Sequence, residues 1–241
     1  MIPDPLAWLA CAAAVAVGCA LQRLSGAGFG MMASPVMVLV APEWMPATVL
    51  LLGVAVGIGS AAQGWDAVAR GDLPPGMAGR TLGAGVAAVV ATAVVGTEAL
   101  PLVVGIVVLL GVALSVAGLR VPITGATLFG AGTTAGVMGT LTGIGAPPMA
   151  LLYADVEARR AAATQNAFFG FGMIVSLAAL AAAGLIGLRH LAFAASLAPL
   201  VPLTLWASRP FAARVEKGAI RPWALGLATL AATVLIVRTL A

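Results

Sequence analysis

Charge is scarce in this chain: 8% of its 241 residues are Asp, Glu, Lys or Arg, against 62% hydrophobic. A soluble globular domain has about a quarter of its residues charged, so that class is excluded. A mean hydropathy of +1.12 places the chain in a lipid bilayer. Histidine is almost missing too. His190 has no second histidine to share a metal with, and the sequence contains no Cys-x-x-Cys and no carboxylate pair inside an apolar stretch. Acid–base and metal chemistry therefore lack their residues, and the chain reads as no enzyme, with no cofactor and no metal site. Cys11 and Cys19 lie roughly on one face of a single apolar stretch. That spacing makes neither a metal site nor a disulfide framework, and the two read as packing residues. The absence of a Gly-x-x-x-x-Gly-Lys-Ser/Thr loop excludes a nucleotide-driven pump. The net charge of +4 is spread through loops rather than gathered in a patch, so nucleic acid is not a partner.

What is abundant is apolar sequence. Stretches run at about 6–22, 28–41, 46–64, 78–97, 99–118, 124–141, 143–153, 161–187, 190–207 and 219–240. Val86–Val95 and Val103–Val112 are apolar on every side, whereas a transmembrane barrel alternates apolar and polar residues, so these are helices. The five tryptophans, Trp8, Trp44, Trp65, Trp206 and Trp223, fall at or just beyond stretch ends and read as an aromatic belt. The first stretch is preceded by Asp4 and no positive charge, so a cleaved secretory signal is not expected. The expectation is an all-α, multi-pass integral membrane protein with no extramembrane domain.

The chain also repeats itself. Leu24-Ser25-Gly26-Ala27-Gly28 and Leu141-Thr142-Gly143-Ile144-Gly145 each sit in apolar sequence and each is followed by proline. Ala47-Thr48 and Ala163-Thr164 then come at matching distances. Two membrane repeats follow, residues 1–120 and 121–241. Stretches 6–22 and 28–41 as one helix would reach roughly 50 Å at 1.5 Å per residue, far beyond the hydrocarbon core. The chain must therefore turn at Gly26–Gly30 and, by symmetry, at Gly143–Pro148. Glycine-rich breaks at corresponding places in two apolar halves are the best sequence pointer to a transporter's binding site.

Charge placement orders the spans. If each broken pair goes in and comes back, as two short spans or as a re-entrant hairpin, each half is a pair plus three transmembrane helices. Leaving Arg23 aside as part of the break, Arg70, Arg80, Arg120, Arg159, Arg160, Arg209, Arg214, Lys217 and Arg221 then share one side, and only Arg189 and Arg238 the other. Counting each pair as one crossing puts Arg159, Arg160, Arg209, Arg214, Lys217 and Arg221 opposite the rest. Only the first arrangement obeys the positive-inside rule, and it predicts inverted repeats with both termini outside.

Two motifs carry a family resemblance. Gln22-Arg23-Leu24-Ser25-Gly26-Ala27-Gly28-Phe29-Gly30, followed by Pro35 and Pro42, resembles the first-half motif of the TauE/SafE sulfite exporter family, also called the toluene-sulfonate uptake permease family. Gly139-Thr140-Leu141-Thr142-Gly143-Ile144-Gly145-Ala146-Pro147-Pro148, with Tyr153 and Arg159 behind it, is similar to the second-half motif. Ala146 departs from it, since the family usually has a further glycine there. The resemblance spans both halves and implies a carrier, for export or uptake, of a sulfur oxyanion such as sulfite or an organosulfonate.

The residues suggest how an anion would be held. Glycines let successive backbone N–H groups converge, and the start of the following helix adds partial positive charge. Ser25 and Thr142 add hydroxyls. Arg23 either supplies a fork of donors to an oxyanion or snorkels to the cytoplasmic surface. Gln165 and Asn166 bond either a substrate or a neighbouring helix. The expected substrate-binding set is Gln22, Arg23, Ser25, Gly26, Gly28, Phe29, Gly30, Thr142, Gly143, Gly145, Pro147, Gln165 and Asn166. Thr48 and Thr164 rank below them, because each hydroxyl can bond its own helix's carbonyls. Gly79/Gly83 and Gly132/Gly136 read as close-packing positions. All eight acidic residues fall at loops or stretch ends, so no deep carboxylate offers a proton relay. The reading is a secondary transporter of the inner membrane working by alternating access, with a channel-like anion conductor as the alternative. Its partners are a small anion and the lipid bilayer, and a homo-oligomer is compatible with the sequence.

Overall fold

A computed structural model describes residues 3–25, 28–62, 64–117, 119–208, 210 and 217–240. The helices are α1 (Pro5–Ser25), α2 (Phe29–Val40), α3 (Ala47–Ala61), α4 (Leu73–Val94), α5 (Ala99–Val116), α6 (Gly125–Thr142), α7 (Ala146–Leu152), α8 (Ala158–Ala182), α9 (Leu188–Leu197), α10 (Leu200–Ala207) and α11 (Lys217–Leu240). Among the described residues there is no strand. Five segments are long and apolar enough to cross a membrane: Pro5–Arg23, Arg70–Val94, Ala99–Val116, Ala158–Ala182 and Leu188–Ala207. The chain is thus an all-α, multi-pass membrane protein.

Each apolar stretch becomes helical, and local chemistry sets the ends. Leu6 and Ala7 N–H groups both donate to the Asp4 carboxylate at the start of α1. Pro74 and Pro75 occupy the first turn of α4, where a missing N–H costs nothing, so that helix starts upstream of residue 78. Thr124 and Thr127 form a reciprocal capping box on α6. The Glu157 carboxylate accepts the Arg159 and Arg160 N–H groups, fixing the start of α8. The stretch 190–207 is two helices rather than one, since Pro199 and Pro202 each remove a backbone donor around the α9–α10 junction.

Both expected breaks are present. Gly28 has φ +138° and precedes α2, and Gly143 has φ +75° and closes α6. A side chain is strained in either conformation. After the first break Phe29 lies back against Gly18, and after the second Gly145 lies back against the Ala135 carbonyl. The 7 residues of α7 span about 10 Å, too short to cross the hydrocarbon core.

Lipid tails are as apolar as leucine, so helix association in a membrane relies on close packing rather than on hydrophobic transfer. Glycine supplies that closeness here. Gly79 and Gly83 of α4 lie against the Phe129 and Thr133 carbonyls of α6, and Gly132 and Gly136 lie against the Gly76 and Arg80 carbonyls in return. The packing role read for these four glycines is what the geometry shows. Gly57 of α3 similarly meets the Gly170 backbone of α8. The remaining principal contacts join α1 to α2 and α10, α5 to α11, α2 and α7, α11 to α2, α8 to α4, and α9 to α3. Outward faces are apolar, with Leu82, Val86, Val89 and Val90 of α4 and Ile106 and Leu110 of α5 exposed.

Polar contacts gather the connections at particular ends. Arg159 pairs with Asp66, Arg120 with Asp155 at 3.5 Å, and the Tyr153 hydroxyl donates to Asp72 at 2.8 Å. The connections before α4, before α6 and between α7 and α8 are thereby tied together. Elsewhere, His190 Nε2 lies 3.4 Å from the Glu43 carbonyl.

Two expectations change. Arg80 is not a loop cation: it lies inside α4 at 4% exposure, because the proline pair starts the helix well before it. The tryptophans do not form one belt. Trp65 and Trp206 are exposed at element ends, but Trp44 is buried against Phe193 and the Trp8 indole N–H donates to Ser196 Oγ at 3.0 Å. Trp44 sits on a short connection that folds under α9, which covers it. The side chain of Trp223 lies outside the described residues.

Candidate functional site

The first break is organised by Gln22, which is fully buried. Its Nε2 donates to Asn166 Oδ1 at 2.9 Å, and its Oε1 accepts the Phe29 N–H at 3.2 Å. One amide therefore satisfies an otherwise free donor at the start of α2 and crosses to α8 in the second half. The Phe29 ring meets the edge of Phe169 at 6.2 Å. Arg23 is half-buried in the last turn of α1. Gly26 and the side chain of Ser25 lie outside the described residues.

The second break satisfies itself locally. Thr142 Oγ1 donates to the Met138 carbonyl at 2.7 Å and accepts the Ile144 N–H at 3.2 Å. The Gly143 N–H bonds the Gly139 carbonyl, and Pro147 and Pro148 begin α7. Gly111 of α5 packs on Pro147.

The duplicated motifs touch. A Cβ on Gly30 would overlap the Gly143 carbonyl, so the two breaks meet backbone to backbone. Gly143 faces Val49 and Ser34, and Gly28 faces Leu21. These three glycines are occupied by protein. Gly145 differs, because a Cβ there would come within 2.6 Å of Arg80 Nη1.

Arg80 borders a cavity that two residues of this set, Gly145 and Gln165, also line. About 20 Å³ of water-accessible space, room for about one water, lies between α4, α6, α7 and α8, lined by Gly76, Arg80, Gly132, Ala135, Gly145, Ala146, Met149, Gln165, Phe168, Phe169 and Met173. Arg80 Nη2 donates to Ser176 Oγ at 3.1 Å, and Ser176 Oγ lies 2.7 Å from Thr140 Oγ1. Nε and Nη1 are buried and have no acceptor among the described residues. The guanidinium fits only because α6, α8 and the turn before α7 present glycine to it: a Cβ on Gly139, Gly145 or Gly172 would collide with it. Gln165, 8% exposed, lines the same cavity and its Oε1 has no donor among the described residues.

Of the sequence-predicted residues, the structure brings Gly145 and Gln165 to this cavity, with Phe29 behind Phe169. Gln22 and Asn166 bond each other across the halves. Thr142 is consumed by its own turn. Gly28, Gly30 and Gly143 pack on protein, Pro147 packs on α5, and Arg23 is not among the residues lining the cavity. Thr164 donates to the Arg160 carbonyl, as expected, and also accepts the Ala69 N–H. Thr48, in the first turn of α3, finds no such carbonyl and its buried hydroxyl has no partner among the described residues.

Arg80 escaped the sequence reading. Pro74-Pro75 was the available signal, since proline favours the first turn of a helix and places Arg80 well inside the span that follows. An arginine inside a membrane span is by default a candidate functional residue.

The family described as sulfite exporter TauE/SafE matches residues 10–235. No curated protein and no solved structure matches the chain. The family match runs through both broken pairs and nearly every span, and the chain belongs to the sulfite exporter TauE/SafE family of membrane transporters.

Proposed function

We propose that this membrane transporter of small anions carries a sulfur oxyanion, hydrogen sulfite or an organosulfonate, across the inner membrane by alternating access between two inverted repeats. The observation that carries the reading is the backbone contact of Gly30 with Gly143, which joins a break from each half. Helix contacts that persist when the halves are exchanged support it. α1–α2 corresponds to α6–α7, α3 to α8, α4 to α9–α10 and α5 to α11. Under that exchange α3–α8 and α5–α11 map onto themselves, α4–α6 maps onto α10–α1, α4–α8 onto α9–α3, and α5–α7 onto α11–α2, all of which are made.

Loop chemistry supports the inverted arrangement as well. Arg159 pairs with Asp66, and Arg120 with Asp155. An arrangement counting each broken pair as one crossing would put Arg159 across the membrane from Arg70 and Arg120. With pair plus three, these groups share the cytoplasmic face, and the broken pairs enter from opposite sides to meet at the Gly30–Gly143 contact. Rocking of one half against the other about that contact would expose the interior alternately. The described carboxylates all lie at helix ends or connections, so a proton would travel on the substrate rather than on the protein.

Flux into proteoliposomes tests the reading. Sulfite or an alkylsulfonate should enter with saturable kinetics and be accelerated by the same anion on the opposite side. Unsaturable flux without such acceleration would favour an anion-conducting channel.

A further inference from the structure

We propose that Arg80 is the anion-binding group of this transporter and that its cavity takes monoanions. The inference rests on the transport reading for the identity of the anion, but its geometry is independent of it. Arg80 is the sole charged side chain lining the cavity among the described residues, and no carboxylate among them pairs with it. A guanidinium held at 4% exposure with no counterion among the described residues is costly in a low-dielectric interior. Here two of its donor atoms, Nε and Nη1, are left without acceptors among the described residues, while glycines of α6, of α8 and of the turn before α7 clear space around the head group. A packing arginine would use its donors on carbonyls or a carboxylate. This one is positioned by Ser176 and keeps its remaining donors for a ligand that arrives from outside.

The charge count selects the ligand. One guanidinium neutralises one negative charge, and a dianion would leave a net buried charge with nothing to pair it. The oxygens of a sulfonate or of hydrogen sulfite match guanidinium donors. The Gln165 amide offers a second polar contact on the same cavity. The surrounding walls, Met149, Phe168, Phe169 and Met173, are apolar.

Isothermal titration of purified protein in detergent tests this with methanesulfonate, sulfite and sulfate. Methanesulfonate should bind equally across neutral pH. Sulfite should bind more tightly as pH falls and hydrogen sulfite accumulates, and sulfate should bind about tenfold more weakly or worse. Arg80→Gln should lose about tenfold or more in methanesulfonate affinity, the scale of a charge-assisted hydrogen bond. Arg80→Lys and Gly172→Ala keep the cation but spoil its geometry, so both should also weaken binding. They carry the test if Arg80→Gln does not fold. Equal affinity in the folded Arg80 variants overturns the site, as does the absence of any anion binding to wild type, and tight sulfate binding overturns the monoanion rule. If wild type binds nitrate or acetate through Arg80 and no sulfur oxyanion, the site stands and the sulfur-oxyanion reading fails. If wild type and Arg80→Gln bind methanesulfonate alike, the reverse holds.

Discussion

Gly30 lies with its Cα against the carbonyl oxygen of Gly143, one motif copy pressed on the other with no room for a side chain. The contact explains why the first motif carries a glycine beyond the turn that Gly28 already makes. Residue 30 is inside α2, where glycine is otherwise unfavourable by about 1 kcal/mol relative to alanine. Closeness between the halves is what offsets that penalty.

Gly30→Ala should therefore destabilise the protein by about 1–3 kcal/mol, the usual scale of overpacking, despite improving helix propensity. Gly85→Ala is the matched control, because a Cβ there meets nothing within 4 Å. Thermal unfolding in detergent should show a lowered Tm for the first and an unchanged or raised Tm for the second. Equal behaviour of the two would remove the motif contact from the account of stability.

The orientation of the halves can be read by labelling. In a background lacking Cys11 and Cys19, single cysteines at Gly71 and Ala154, both exposed in connections, should react from the same side of the membrane. A cysteine at Glu98 should react from the other. Counting each broken pair as one crossing predicts instead that positions 71 and 154 label from opposite sides, and that result would end the inverted-repeat proposal.

Gln22 and Asn166 give the halves a second link, this one polar. Polar pairs between membrane helices couple by about 0.6 kcal/mol on average and up to about 1.7. The Gln22–Asn166 bond should sit toward the upper end, since both residues are buried and Gln22 also holds the Phe29 N–H. A double-mutant cycle of Gln22→Ala and Asn166→Ala, read by unfolding free energy, measures it. Strict additivity would mean that the bond contributes nothing to joining the halves.

Much of this architecture is legible in the sequence because membrane helices announce themselves by length and composition. The two breaks are legible because segments 6–22 and 28–41 cannot be one helix, and the structure turns the chain at Gly28 and Gly143 with positive φ. The role of the glycines around those turns is not legible. Gly30 facing a carbonyl and Gly145 facing a guanidinium are identical letters, and only the packing of α6 and α7 against other helices tells them apart. Arg80 was hidden for a different reason: an arginine near the edge of an apolar stretch looks like a loop cation unless the preceding prolines are read as a helix start. Gln165 and Asn166 show the same limit on a smaller scale. Neighbours on one helix point about 100° apart, so one meets Gln22 and the other the cavity.

Gly28 and Gly145 stand at corresponding positions of the two motifs, but their surroundings differ. Gly28 has φ +138° and a Cβ on it would press on Leu21 Cβ at 2.8 Å, so its constraint is conformational and internal to the α1–α2 turn. Gly145 has φ −113°, which any residue adopts, and a Cβ on it would meet Arg80 Nη1 at 2.6 Å and the Ala135 carbonyl at 2.8 Å. Gly28→Ala should consequently lower stability by about 1–3 kcal/mol, the range for a strained backbone conformation, and leave the affinity of each folded molecule for methanesulfonate unchanged. Gly145→Ala should do the converse on binding, weakening it about tenfold or more by displacing the guanidinium, whatever it does to Tm. The two measurements must be made on the same folded, size-selected preparations, so that a loss of yield is not mistaken for a loss of affinity. Equal affinity loss in both variants would place the anion at the paired breaks themselves, as the duplicated sequence first suggests. Loss in Gly145→Ala alone would place it beside Arg80.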